Sequence, residues 1–133
     1  MHRFILGSLF ILVSIGVTMT LPKSARAEEK SDKILRHVVC FKFKEGTPEA
    51  KVREIEAAFA ALPEKIDAIR DFEWGTNNSP ENLAAGYTHC FLVTFADEAG
   101  RAAYLPHPAH QAFVALLKPH LDKAFVIDYW AER

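Results

Sequence analysis

Tyr87-Thr88-His89-Cys90-Phe91-Leu92-Val93-Thr94-Phe95 is the segment that leaves the rest of the chain the fewest options. Its β-branched and aromatic residues, with Asn and Gly turn signals before it, read as a strand. Strand side chains alternate, so Tyr87, His89, Phe91, Val93 and Phe95 share one face. Thr88, Cys90, Leu92 and Thr94 share the other. Leu35 to Phe43 repeats the pattern: His37, Val39, Phe41 and Phe43 oppose Val38, Cys40 and Lys42. An antiparallel sheet with one wet face shows polar residues there. These strands carry apolar residues on both faces, so both faces need cover.

The remaining segments say what can supply that cover. Lys44-Glu45-Gly46 turns the chain after the first strand. Thr47 is a suitable helix N-cap and Pro48 a suitable first helical residue. Val52, Ile55, Phe59 and Leu62 recur at helical spacing up to Pro63. Asp71 to Asn77 reads as a short strand, and 78–86 as a loop. Asp97 can cap a helix that Pro106 breaks. Pro108 restarts it, with Ala109, Ala112, Phe113, Leu116 and Leu117 as its apolar stripe. Pro119 stops it, and Lys123 to Trp130 is the last strand, with Phe125, Ile127 and Tyr129 opposing Ala124, Val126, Asp128 and Trp130. The order β-α-β-β-α-β predicts an α+β, ferredoxin-like antiparallel sheet with its helices on one face. Two helices cover one face only. A second copy of the chain, sheet against sheet, is therefore expected on Val38, Cys40, Cys90, Leu92, Phe125 and Ile127.

The N-terminus reads separately. Met1-His2-Arg3 is basic, Phe4 to Leu21 carries no charge, and Ala25-Arg26-Ala27 is an A-x-A pattern. That order predicts a signal peptide over 1–27, a charged disordered lead-in over 28–33, and a folded domain over 34–130. The protein is then expected to be exported, to a periplasm or outside the cell; an uncleaved membrane anchor is the alternative. Cleavage removes three basic residues and no acid from 16 basic and 17 acidic ones, leaving a formal charge of −4. That excludes the basic footprint of a nucleic-acid binder, and no basic amphipathic stretch holds the mature domain on a membrane. With two cysteines, a disulfide-dense scaffold is excluded. Cys40 and Cys90 share a face on neighbouring strands, which leaves both a disulfide and two packed thiols open.

Tyr104-Leu105-Pro106-His107-Pro108-Ala109-His110 concentrates the chemistry-bearing side chains. His37 and His89 have the parity to face the helical layer that carries Tyr104, His107 and His110. Phe59 and Trp74 are candidate apolar walls. Imidazole exchanges a proton near neutral pH, and a phenol can donate to a developing oxyanion. A His/Tyr pair beside an apolar cavity thus suits binding of a carbonyl compound or proton abstraction next to it. Each residue also has an ordinary alternative: a hydrogen-bonded core histidine, a helix cap at His107, a plug at Tyr104. No carboxylate accompanies His107 and His110, so no metal is expected. No phosphate-cradling loop or nucleophile motif appears, and no cofactor is expected.

His37-Val38-Val39-x-Phe41-Lys42-Phe43, Gly86-Tyr87-Thr88-His89, Tyr104-x-x-His107-Pro108-x-His110-x-x-Phe113 and Asp128-Tyr129 together resemble the stress-responsive dimeric α/β-barrel (Dabb) domain. The resemblance spans about residues 34 to 130. It implies a ferredoxin-like monomer and a homodimer whose sheets close into a barrel. It also implies that His37 and His89 match pocket histidines of a plant member. The residues themselves lead to the expectation of a small apolar ligand bound near His37, His89, His107, Phe59 and Trp74. A plant polyketide cyclase of that family implies a catalytic alternative, a lyase or isomerase with His110 as general base and Tyr104 as hydrogen-bond donor. A non-catalytic structural or interaction protein is the remaining reading.

Overall fold

The computed structural model describes residues 33–132; the expected signal peptide and nearly all of the lead-in lie outside them. The strands are β1 (Leu35–Phe43), β2 (Asp71–Thr76), β3 (His89–Phe95) and β4 (Leu121–Trp130). The helices are α1 (Glu49–Ala60), α2 (Glu98–Tyr104) and α3 (Pro108–Leu117), with single 3-10 turns at Leu62–Glu64 and Lys118–His120. The second helical unit is thus split in two at the proline break. Among the described residues no helix is long and apolar enough to cross a membrane.

All four strands lie in one sheet of order β2-β3-β1-β4, and every neighbouring pair is antiparallel. This is the ferredoxin-like arrangement expected from the element order: each βαβ half is split by a strand of the other. Strand parity then decides what is buried. Leu35, His37, Val39 and Phe41 of β1 and His89, Phe91, Val93 and Phe95 of β3 all lie beneath the helices. α1 adds Ile55 and Phe59, four residues apart on one face. α3 adds Phe113 and Leu117 by the same spacing. Phe59 stacks on Phe91 and packs on Phe113, each at 4.4 Å between ring centres.

Local boundaries shift where a side chain finds another partner. Pro48, not Thr47, occupies the α1 cap position, and no side chain caps that helix. Gly46 sits at φ +76, and the turn it makes lets the Thr47 hydroxyl donate to the Lys44 carbonyl at 2.7 Å. That hydroxyl is therefore committed to the turn. β3 begins at His89, two residues later than its pattern suggests. The Tyr87 N–H closes a turn onto the Ala84 carbonyl, so Tyr87 is taken out of the ladder. Asp97 caps α2 as expected, accepting from the Gly100 N–H at 2.9 Å.

The opposite face of the sheet has no helix over it. Phe125, Ile127 and Tyr129 are each nearly half exposed there, beside Val38, Cys40, Cys90 and Leu92. The β2–β3 loop, with Leu83 and Tyr87, borders this face and leaves a groove of about 730 Å³. β4 is a ten-residue edge strand whose apolar residues on both faces, including Val126 and Trp130, are exposed. Long apolar edges of this kind are normally covered.

Candidate functional site

Each candidate side chain is placed by its element. β4 pairs with β1 so that Asp128 stands directly across from His37. Asp128 Oδ1 lies 2.6 Å from His37 Nδ1, and Arg101 of α2 donates to Asp128 Oδ2, also at 2.6 Å. An ionised carboxylate only accepts, so Nδ1 of His37 carries the proton in this bond. Tyr104 lies three residues after Arg101, on the same side of α2. Its ring is fully buried and meets His37 edge-on at 5.8 Å. The chain breaks at Pro106, and His107 starts α3, its Nδ1 accepting from the Ala109 N–H at 3.1 Å. Pro108 follows at the first helical position, where its missing N–H costs nothing. One turn on, His110 Nδ1 donates to the Leu105 carbonyl at 2.9 Å. That bond folds α3 back on α2 and holds the His110 ring 4.2 Å from Tyr104.

His37, Tyr104 and His110 thus converge with Asp128 and Arg101. His89 does not join them. It lies opposite Phe41 in the sheet, whereas His37 lies opposite Val93. Four residues of strand separate the two, roughly 13 Å. His89 Nε2 instead meets Glu56 Oε1 of α1 at 2.7 Å, and its Nδ1 meets the Thr88 hydroxyl at 2.7 Å. Its ring lies parallel to Trp74, centres 6.4 Å apart. Trp74 and His89 border the groove on the helix-free face, which touches none of His37, Tyr104 and His110. Phe59 fills the space between α1, α3 and the sheet. His107 serves as the α3 cap. Among the described residues no group of three or more His, Cys, Asp or Glu side chains could hold a metal ion.

Three residues of these clusters were not among the site residues expected from the sequence. Asp128 had a signal, since its parity puts it on the His37 face. Arg101 had a weaker one, three residues before Tyr104. Glu56 had none, because only the docking angle of α1 brings it to His89.

The electrostatics follow from these contacts. Burial raises the Tyr104 hydroxyl above the ordinary phenol range, and no hydrogen bond or charge contributes to that shift. Tyr104 is therefore a proton-bearing donor at all ordinary pH. Burial lowers the His110 imidazole; the bond to Leu105 opposes this, and His37 and His107 nearby add to the lowering. With Nδ1 donating to a carbonyl, its Nε2 carries the free lone pair. Burial alone would raise the Asp128 carboxyl, but hydrogen bonds from His37 and Arg101, with their charge, outweigh it and hold it below its usual value. A donor hydroxyl beside a neutral, basic nitrogen can bind a carbonyl oxygen and accept a proton from the carbon next to it.

The sequence profile of the stress-responsive A/B barrel domain (Dabb) matches residues 35–131. The chain belongs to this family. Over 95 residues, this Dabb chain is 40% identical to the stress-response A/B barrel domain-containing protein HS1 of Arabidopsis thaliana, covering 71% of itself and 87% of that protein. It is 32% identical over 95 residues to olivetolic acid cyclase of Cannabis sativa, covering 71% of itself and 94% of that enzyme. Among solved structures it superposes on the hydroxynitrile lyase of Passiflora edulis with a TM-score of 0.71 and 25% identity, over 75% of this chain and 94% of the other. A dimeric ferredoxin-like protein from Thermobifida fusca gives a TM-score of 0.64 and 25% identity, over 74% and 92% of the respective chains. Some relatives of this Dabb chain are therefore enzymes, and its structural neighbours include dimers.

The two shifts predict how the Dabb domain responds to acid. A histidine with a lowered folded pKa is protonated first in the unfolded chain, so stability falls once pH drops below about 6.5. Asp128 contributes fully above about 3.9, and its contribution is lost as pH falls from there through its lowered folded value. Melting temperatures between pH 8 and pH 3 are expected to show both declines. His110→Gln should flatten the upper one and Asp128→Asn the lower. An unchanged upper decline in His110→Gln would contradict the burial assigned to that ring.

Proposed function

We propose that this Dabb chain works as a homodimer and binds a small, apolar, carbonyl-bearing molecule at the Tyr104 cluster. One observation carries the reading: a fully buried phenol, shifted by burial alone, stands between two imidazoles whose Nδ1 atoms are already engaged. The Tyr104 hydroxyl is the donor for the ligand's carbonyl oxygen. The aromatic floor of Phe95 and the edge of His37 suit an apolar body. Tyr104 has no exposed surface, so a ligand reaches it when the α2–α3 corner at Leu105–His107 moves. The helix-free sheet face is assigned to the second copy.

A catalytic reading of the same cluster is favoured by His110. Its lowered pKa and engaged Nδ1 leave Nε2 as a general base at neutral pH. That nitrogen would remove a proton from the carbon beside the carbonyl while Tyr104 stabilises the resulting enolate oxygen. Relatives named as a cyclase and a lyase support this class of chemistry.

Thermal-shift measurements with aromatic ketones and linear diketones are expected to raise the melting temperature for at least one compound. Tyr104→Phe should weaken that compound roughly 10-fold, the loss of one hydrogen bond of about 1–1.5 kcal/mol. If the compound is also turned over, His110→Ala should slow turnover by about 10²–10⁴-fold. No stabilisation by any compound, or equal binding by Tyr104→Phe, refutes the assignment.

A further inference from the structure

The only two cysteines of the chain lie on the other side of the sheet and take no part in the Tyr104 cluster. Cys40 of β1 and Cys90 of β3 are directly opposite one another in the antiparallel ladder. We propose that they are a dithiol site that closes to an intrachain disulfide by exchange with a small-molecule disulfide.

The backbone already has the required geometry. Opposite residues of an antiparallel pair have Cα atoms about 4.5 Å apart in one type of pair and about 5.5 Å in the other. Disulfides span about 4.4–6.8 Å, so either type accepts the bond without strand movement. Both side chains point to the same face, because directly paired residues always do. In the single chain both border a groove of about 730 Å³, so a small molecule reaches them before the second copy covers this face.

The two sulfurs are not equivalent. Cys90 is exposed and Cys40 is half-buried. Burial pushes the Cys40 thiol up to about 11, with the neighbouring Cys90 adding to the rise. Cys90, the more exposed sulfur, is therefore the one that attacks, and the more buried Cys40 is the one that resolves. With oxidised glutathione, the Cys90 thiolate attacks one sulfur, the glutathione S–S bond breaks, and one glutathione leaves as its thiolate. Cys40 then gives its proton to solvent and displaces the second glutathione from Cys90. Two protein thiols are oxidised to one disulfide, and one glutathione disulfide is reduced to two thiols. The bond lies within one sheet, so it joins no two copies of the chain.

The test treats the full reduced chain with oxidised glutathione in two ways, as the native protein and during refolding from denaturant. Both samples are then denatured, alkylated with N-ethylmaleimide and weighed by intact mass spectrometry. The expected product takes up no maleimide and is lighter by about 2 Da, the two hydrogens lost in disulfide formation. The untreated chain takes up two maleimides. Cys40→Ser should instead hold one glutathione on Cys90 as a persistent mixed disulfide, since no resolving thiol remains. Two free thiols after both treatments would overturn the proposal. So would disulfides found only between chains, or a Cys40→Ser variant that sheds glutathione as readily as the native chain closes.

Discussion

Replacing Phe59 by alanine is expected to destabilise the domain by about 3–5 kcal/mol, the usual cost of truncating a buried aromatic residue. Phe59 is 1% exposed and meets Phe41, Phe72, Phe91 and Phe113, so it joins α1 to α3 and to three strands. Those neighbours belong to rigid elements that cannot collapse into the space left behind. The loss therefore combines the transfer of the ring with the cost of the cavity. Urea denaturation of the two proteins checks it, read as a lower midpoint at unchanged slope. The result also decides between two roles for this residue. If Phe59 walled an open pocket, truncation would leave no new void. The cost would then stay near the transfer contribution of about 1.5–3 kcal/mol.

Lysine at both Phe125 and Ile127 is expected to convert a dimer to a monomer. Both side chains are 47% exposed in the single chain, on the face that no helix covers. The monomer core does not contain them, so its circular dichroism should be unchanged. In a sheet-to-sheet dimer each copy would lose two apolar contacts and bury two charges instead. Even one lost side chain at about 1.5–3 kcal/mol weakens association by roughly 10- to 100-fold. Mass measured by light scattering should fall from twice the chain mass to the chain mass at micromolar concentration. A native chain that is already monomeric under those conditions would refute the dimer.

Much of the architecture was legible because it rests on short-range physics. Period-two alternation in Leu35–Phe43 and His89–Phe95 assigns faces without any knowledge of neighbours. Pro106 and Pro108 mark the split between α2 and α3, since proline cannot continue one helix but can start the next. Thr47 and Tyr87 show where that reading stops. Each has a suitable residue type, but a nearby backbone carbonyl competes for the Thr47 hydroxyl and for the Tyr87 N–H.

The site divides in the same way. Residue type and parity put His37, His89, Tyr104 and His110 on the helix side of the sheet. Parity says which face a side chain takes but not how far along the strand it lies relative to another strand. Register supplies that distance: it sets His37 against Asp128 and carries His89 to the far end, beside Glu56 and Trp74. The sequence by itself determined the element order, the two apolar faces and the proline-broken segment that aims Tyr104 and His110. Only the tertiary structure decided that one histidine leaves the cluster, that Asp128 and Arg101 enter it, and that Cys40 stands against Cys90. Alternation and capping act over a few residues, whereas strand register and helix docking are settled by packing between distant segments, as where His37 meets Asp128, 91 residues away.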